Sequence, residues 1–401
     1  MKPPGSAPRG ERDSRREVSA SNDGPAPLPE PMLVADVAAL DRLAREIADD
    51  DEIAVDTEAD SFWSYREKLC LLQLSTPRGD VLVDPLAGID VAALAAVFAA
   101  PRPRKVFHDA EYDVALLKEA GIPAIAGLFD TRVAVSLLGS KTPGLSNVLR
   151  ERYGIELDKR QQRSDWRQRP LSREQLDYAR HDTRHLLRLA RDLEPELAKR
   201  DLLEIFRFEC ERVGSTEPRR REFDPDDALR IRGARELDPG GLSALRELFV
   251  ERDRIARERD LAAFRVVPND LLVVLARHRP TDRRQLEKVR LPPRMRSTFG
   301  DAALDAIARA RARGPWFPKA RAAPPDEELA ALERLRRWRT RTSEARALDA
   351  TAVLNRQTLE EIARRRPRTL DELREIRGLA PWQLDQFGAE ILRAIESAPP
   401  S

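Results

Sequence analysis

The apolar residues in the first half of the chain fall into short runs separated by turn-forming and charged residues. Residues 52–60, 68–76, 80–85 and 104–110 each form such a run, bounded by Pro, Gly or charged residues, which is typical of β-strands. Three strand patterns follow one another before strand and helix patterns begin to alternate. This order predicts an α/β domain with a mixed sheet rather than an all-parallel one.

Helical patterns occupy the rest of this region. An Ala-rich stretch over 90–100 predicts a helix that ends at Pro101, and the pattern after the fourth strand predicts a helix that stops at Gly121. Ser172, followed three residues later by Gln175, predicts a capping box at the start of a later helix.

The helix predicted over residues 176–187 (LDYARHDTRHLL) carries a polar pair beside its apolar face. At about 100° per residue, one face collects Leu176, Ala179, Thr183, Leu186, Leu187 and Ala190. Tyr178 and Asp182 are neighbours at i, i+4 and lie about 110° from the centre of that face. Arg180, Arg184 and Arg188 fall on the other side, which we expect to face solvent. Taken alone, the pair is also explained by a half-buried tyrosine beside a solvated aspartate.

The chain after residue 214 has no convincing strand pattern and contains a repeat instead. Residues 275–290 align with residues 362–377 at an offset of 87, and after one inserted residue Gly300 aligns with Gly388. Each of the two domains that contain a copy has the length of a four- or five-helix unit, close to the smallest size that folds on its own. The second half of the chain is therefore predicted to hold two small all-α domains.

These patterns divide the chain into six segments. We predict a disordered tail over 1–31, an α/β domain over 32–213, a linker over 214–235, a helical domain over 236–312, a second linker over 313–327 and a second helical domain over 328–397. The tail is rich in Pro, Gly, Ser and charged residues and has no apolar stretch of the secretory-signal type.

Composition narrows the class of protein. Hydrophobic residues make up 41% of the chain and charged residues 35%, which suits packed cores with a charged exterior, and the net charge of +2 produces no global basic field. No apolar run approaches the ~18 residues of a membrane helix. Two cysteines, Cys70 and Cys210, can form neither a disulfide framework nor a zinc cluster. We expect a soluble protein in the reducing cytoplasm.

Asp56 and Glu58 are the first candidates for metal binding. They alternate with Val55 and Thr57 along a predicted strand, so their side chains project to the same face. Two adjacent carboxylates repel each other, and a hard divalent cation such as Mg²⁺ or Mn²⁺ would neutralise them. A strand end that faces water explains the same two residues equally well.

Asp113 and Asp182 extend the set to four acids. Val114 and Leu117 are expected to pack inward, which leaves Asp113 near the N-terminal turn of its helix, where the helix dipole favours an anion. Acidic residues are common there without any function. Four acids without a Cys or His cluster favour a two-metal site over a zinc site.

The order and spacing of these motifs resemble the DEDD exonuclease superfamily, tyrosine subclass, and within it the ribonuclease D family. The resemblance rests on Asp56-x-Glu58, on Asp113 after FHDAEY, and on Tyr178-x-x-x-Asp182. The segments KLCLLQLST, LFDTRVAVSLLG and LDKRQQRSDWRQRPLSREQLDYARHDT also match that family, and the two repeats resemble HRDC domains. The position five residues before Asp182 is Asp177, so Tyr178 matches the tyrosine subclass rather than the histidine one.

The resemblance implies a ribonuclease H-like mixed sheet flanked by helices and followed by two HRDC-type helical domains. It also implies 3′→5′ hydrolysis of RNA with release of nucleoside 5′-monophosphates. Asp56, Glu58, Asp113 and Asp182 would hold two Mg²⁺ (or Mn²⁺) ions about 4 Å apart, one activating water and one stabilising the leaving 3′-oxygen. Glu58 would also contact the terminal 3′-OH, and Tyr178 would orient the attacking water.

RNA is the partner that the resemblance implies, with tRNA precursors and other structured 3′ ends as the expected substrates of a monomeric enzyme. Two other functions remain open: a DNA 3′→5′ exonuclease with the same carboxylates, and an inactive RNA-binding scaffold. Arginine-rich segments of the repeats could contact phosphates or form solvated helix faces, and Phe299 and Trp338 could stack on bases or pack in a core.

Overall fold

A six-stranded mixed sheet organises the N-terminal half of the computed structural model, which describes residues 30–218, 222–318, 324–346 and 348–396. The strands are β1 (Met32–Val34), β2 (Glu52–Ala59), β3 (Leu69–Thr76), β4 (Gly79–Val83), β5 (Arg104–Phe107) and β6 (Leu128–Asp130). Their order is β1-β4-β3-β2-β5-β6; β2–β3 and β3–β4 are antiparallel, and the other neighbours are parallel. The predicted mixed sheet is confirmed. Residues 1–29, nearly all of the predicted tail, lie outside the described residues.

Two strands were not predicted from the sequence pattern. β1 and β6 are each three residues long, too short for an alternation of apolar and polar residues to stand out. Each lies at an edge of the sheet and pairs with only one neighbour. The longest strands, β2 and β3, lie at the centre, and β2 places Asp56 and Glu58 between β3 and β5.

Eight α-helices accompany the sheet in the described part of the chain before residue 219. They are α1 (Val37–Ala48), α2 (Ala95–Ala99), α3 (Glu111–Glu119), α4 (Thr131–Leu137), α5 (Leu145–Tyr153), α6 (Arg173–Arg184), α7 (Leu186–Lys199) and α8 (Leu203–Gly214). The helix predicted over 176–187 is interrupted at His185, so that α6 packs on β3 and β4 while α7 packs on α4, β2 and β5.

The described residues after 214 form helices and no strand, as predicted. The first helical domain contains α9 (Pro239–Glu258), α10 (Ala263–Val266), α11 (Asn269–His278), α12 (Arg283–Lys288) and α13 (Pro293–Arg313). The second contains α14 (Asp326–Arg346), α15 (Ala350–Val353), α16 (Arg356–Arg365), α17 (Leu370–Arg374) and α18 (Pro381–Glu396). No helix in the described ranges is long and apolar enough to cross a membrane.

The two helical domains use the same contacts at positions that are 87 residues apart. Arg252 on α9 donates a hydrogen bond to the carbonyl of Val267 at 3.1 Å. Arg339 on α14 donates to the carbonyl of Leu354 at 3.0 Å. The repeat found in the sequence is therefore a repeat of tertiary contacts, in which an arginine from the first helix holds the turn that precedes the third.

Phe299 and Trp338 pack in these cores. Phe299 is fully buried, and the buried Trp338 donates from Nε1 to Glu390 at 3.0 Å. Neither ring is available to stack on a base. Several arginines of the arginine-rich segments form surface ion pairs, including Arg279 with Asp238.

Candidate active site

Asp56 and Glu58 on β2 meet Asp182 on α6 in one pocket. One carboxylate oxygen from each of the three residues lies within 4.8 Å of those of the other two. All three side chains are partly buried. The group offers only carboxylate oxygens, the ligands that Mg²⁺ and Mn²⁺ prefer, and contains no thiolate or imidazole of the kind that zinc selects.

Asp113 borders this group rather than belonging to it. It lies in the first turn of α3, as predicted, and is buried. Its Oδ1 accepts a short hydrogen bond from the hydroxyl of Thr57, the residue between the two acids of β2. The sequence pattern assigned Thr57 only to the opposite face of the strand and did not identify this contact. Asp113 is close enough for its charge to raise the pKa values of Asp56 and Glu58.

The pKa values of all four carboxyl groups lie above their ordinary range. Burial is the largest cause in each case, and repulsion between the carboxylates adds to it at Asp56 and Glu58. The pKa is raised to about 7 for Asp113 and to about 7 for Asp182. Within the described ranges, none of the four forms a salt bridge with a lysine or arginine. A bound cation would relieve this repulsion.

Tyr178 stands beside Asp182, one helical turn earlier on α6. Its ring packs against the buried Trp166, with ring centroids 5.9 Å apart. Burial, followed by the charges of Asp182, Glu58 and Asp56, raises the pKa of the Tyr178 phenol well above its usual value of about 10. The phenol therefore stays protonated in the metal-free pocket and donates a hydrogen bond to the Asp182 carboxylate.

Comparison with known proteins assigns this chain to a family. The family model of the 3′-5′ exonuclease matches residues 31–198, and the family model of the HRDC domain matches residues 242–307 and 328–395. Ribonuclease D of Nitrobacter hamburgensis is 30% identical over 90% of this chain and 94% of its own length; that of Pseudomonas paraeruginosa is 30% identical over 92% and 99%. The chain belongs to the ribonuclease D family. It is a 3′-5′ exoribonuclease, and the predicted resemblance is confirmed.

The fold agrees with this assignment along almost the whole chain. The crystal structure of Escherichia coli RNase D superposes with a TM-score of 0.69, covering 93% of this chain and 100% of that one at 24% identity. The exonuclease fold implies divalent metal ions, which fits the carboxylate group of this ribonuclease D family member.

Gln73 links the two acidic elements and was not singled out from the sequence. It is fully buried on β3, opposite Asp56. When the side-chain nitrogen of Gln73 faces β2 and α6, it donates to Asp56 Oδ2 at 2.8 Å and to the carbonyl of Ala179 on α6 at 3.0 Å. A lone amide within the apolar run LCLLQLST was the available signal, because a buried polar side chain requires a partner.

The side of α6 that was predicted to face solvent is mostly covered. Arg180 is only 3% exposed and donates to Asp80 on β4 at 2.9 Å, and Arg184 reaches the same carboxylate at 2.9 Å. Ser75 donates to Asp80 as well, at 2.8 Å. Only Arg188 is mainly exposed, at 66%. The prediction was wrong for Arg180 because a helical wheel cannot show that β3 and β4 pack over a second side of the helix.

The predicted capping box fixes where α6 begins. The Ser172 hydroxyl accepts a hydrogen bond from the Gln175 backbone at 3.2 Å, and the Gln175 side chain accepts from the Ser172 backbone at 3.0 Å. The prediction is confirmed. Since Tyr178 and Asp182 follow at set positions on the helix, the cap and the Asp80 ion pairs together determine where both residues point.

Proposed function

We propose that Asp56, Glu58, Asp113 and Asp182 hold two divalent cations, Mg²⁺ or Mn²⁺, for stepwise hydrolysis of RNA from its 3′ end. The observation that carries the proposal is the meeting of partly buried carboxylates from β2 and α6, with the buried Asp113 of α3 beside them. Within the described residues, no lysine or arginine pairs with any of the four. When bound, the ions would stabilise negative charge on the attacking and leaving oxygens. Each cycle would release a nucleoside 5′-monophosphate.

The donor set fits this role. Asp113 accepts the Thr57 hydrogen bond through Oδ1, so its Oδ2 is available to a cation. Gln73 donates to one carboxylate oxygen of Asp56, which leaves the other oxygen available to a cation. Hydrogen bonds of this kind fix the orientation of carboxylate ligands before a metal arrives.

Tyr178 would orient the attacking water rather than remove its proton. Its high pKa makes the phenol a poor base but a lasting hydrogen-bond donor. Packing against the buried Trp166 supports the ring from one side. Glu58 would bind the terminal 3′-OH, which would restrict cleavage to the chain end.

Structured RNA 3′ ends, including those of tRNA precursors, are the proposed substrates of a monomeric, cytoplasmic enzyme. The two HRDC domains and the family assignment support RNA over DNA. The Escherichia coli RNase D that shares this fold is an exoribonuclease involved in structured RNA processing. The two thiols, Cys70 and Cys210, are buried and free, consistent with the predicted reducing compartment.

The test is incubation of 5′-labelled RNA, and of DNA of matched sequence, with Mg²⁺ or with EDTA. We expect the RNA to shorten from its 3′ end only with Mg²⁺, with nucleoside 5′-monophosphates as products and slower loss of DNA. Cleavage in EDTA, internal cuts or nucleoside 3′-monophosphates would contradict the metal mechanism. Equal or faster loss of DNA would favour the DNA exonuclease.

A further inference from the structure

The first helical domain contacts the loop that directly follows the acidic strand. The backbone N–H of Ala262 donates to the carbonyl of Trp63 at 3.0 Å, and the Tyr65 hydroxyl donates to Asp253 at 2.8 Å. Lys68 pairs with Asp260 at 3.0 Å. Because this loop begins just after β2, the helical domain is held close to the strand that carries Asp56 and Glu58.

Aromatic rings and guanidinium groups from both domains meet along this contact. The Arg265 guanidinium lies 3.4 Å from the centroid of the Trp63 ring, and that of Arg167 lies 5.0 Å from it. The rings of Phe62 and Phe264 are 6.5 Å apart and remain 44% and 48% exposed. We call the following group the seam: Phe62, Trp63, Arg163, Arg167, Phe264 and Arg265.

The seam has a surplus of positive charge. Arg163 lies 5.8 Å from the Phe62 ring centroid, and in the described part of the chain neither it nor Arg265 forms a salt bridge. Arg167 pairs with Asp165. Burial and the neighbouring charge of Arg167 lower the pKa of Arg265, as expected where cations are crowded. Exposed rings beside unneutralised guanidinium groups match the combination that binds single-stranded nucleic acid.

The second helical domain provides an internal comparison. At the 87-residue offset, α10 corresponds to α15, and the buried Val266 corresponds to the buried Val353. The neighbouring Phe264 corresponds to Thr351, and Arg265 corresponds to Ala352. The helix therefore forms without the aromatic and cationic side chains, which points to a role for them outside the core.

The seam adjoins the candidate active site from two directions. Phe62 follows Glu58 by four residues along the chain. Trp166, which packs on Tyr178, lies between Arg163 and Arg167 in the loop before α6. If the 3′ end of an RNA strand occupies the acidic pocket, the nucleotides that precede this end would lie close to the side chains of the seam.

We propose that the seam binds the single-stranded RNA that precedes the nucleotide being removed. Bases would stack on Phe62 and Phe264, and phosphates would pair with Arg163 and Arg265. Stacking tolerates any base, which suits an enzyme that must accept each nucleotide in turn. This inference rests on the proposed function, because it takes the acidic pocket as the position of the 3′ end.

The test measures the Kd of a fluorescent single-stranded oligoadenylate in EDTA, so that binding is read without turnover. The main variant combines Phe264→Thr with Arg265→Ala, the residues that the second helical domain carries at these positions. We expect its Kd to rise roughly tenfold or more. Arg163→Gln should reduce the slope of log Kd against log salt by about 0.7, the value for one lost phosphate contact. Phe317→Ala removes a ring that is 74% exposed outside the seam and should leave Kd unchanged.

A Kd within twofold of the parent for both seam variants would overturn the inference, as would an equal loss in Phe317→Ala. A lower Tm of the double variant with unchanged RNA binding would also overturn it, because the seam would then only hold the domains together. Arg163→Gln alters an exposed loop side chain and keeps the test open if the double variant folds poorly. Absence of hydrolysis by the parent protein would defeat the proposed function while leaving this binding measurement valid.

Discussion

Helix α6 separates two groups of charged side chains that are built in opposite ways. On one side, Asp80 accepts hydrogen bonds from Arg180 and Arg184, so charges of both signs are buried together. On the other side, Asp182 faces Asp56 and Glu58, and all three charges have the same sign. A balanced group can stabilise the position of a helix by itself, whereas the repulsion within a group of like charges must be relieved by protonation or by a bound cation.

The same helix thus has one side that stabilises the fold and one side that we propose to carry the chemistry. Removal of a carboxylate charge should have opposite consequences on the two sides. At Asp80, this change should lower the free energy of unfolding of the protein. In the acidic pocket, it should relieve the repulsion between carboxylates and abolish catalysis. The following substitutions and conditions test that contrast, beginning with the largest expected effect.

Asp56→Asn should reduce hydrolysis at least ~10³-fold, because loss of a metal ligand removes several kcal/mol of transition-state stabilisation. The metal-free variant should be at least as stable as the parent, since one repelling charge is lost. Single-turnover assays with labelled RNA and thermal melts in EDTA measure both effects, and RNA binding in EDTA should persist. Normal turnover in this variant would remove Asp56 from the metal site.

Tyr178→Phe should reduce the rate about 10²–10³-fold, the usual contribution of a group that positions a reacting proton. The Mg²⁺ concentration for half-maximal rate should change little, because the phenol is not a proposed ligand. Tyr153→Phe is the matched control. Tyr153 lies at the end of α5, outside the acidic pocket, and its hydroxyl also donates to an aspartate, Asp192. Full activity of Tyr178→Phe would show that this tyrosine only packs against Trp166.

Asp80→Asn should lower the free energy of unfolding by about 3 kcal/mol, because it removes the charge that Arg180 and Arg184 share in a largely buried site. Urea unfolding measures this loss. Asp371→Asn, which disrupts an exposed pair with Arg374, should cost well under 1 kcal/mol. If Asp80→Asn were as mild as this control, the ion pairs would not be what anchors α6.

The metal-free protein should lose stability as pH rises from about 5 to about 8. Folding raises the pKa of Asp113 and Asp182 to about 7, so the folded state binds more protons than the unfolded chain in this range. The stabilising contribution is therefore present at low pH and lost as pH rises through 7. Melts in EDTA should show a falling Tm, and Mg²⁺ should raise Tm more at pH 8 than at pH 5.5. A Tm that is independent of pH and Mg²⁺ would contradict a carboxylate pocket that binds cations.

Much of the fold and of the candidate site was predictable because it depends on local patterns. The periodicity of the long strands and the Ser172–Gln175 cap each depend on residues close together in the chain. The 87-residue repeat is visible because two segments of the chain can be aligned directly, without knowledge of their contacts. The short strands β1 and β6 were missed because three residues carry no detectable alternation. The domain boundaries and the roles of the site residues stay predictions.

The sequence by itself determined which residues are the candidates for the chemistry, since Asp56, Glu58, Asp113, Tyr178 and Asp182 match the motifs of the family. Only the tertiary structure decided their surroundings: Thr57 on Asp113, Gln73 between Asp56 and α6, and Arg180 buried against Asp80. These contacts join residues that are tens of positions apart. The charge and burial of such neighbours decide whether a charged side chain is neutralised within the protein or can bind a ligand. That information arises only when β2, β3, β4, α3 and α6 pack together.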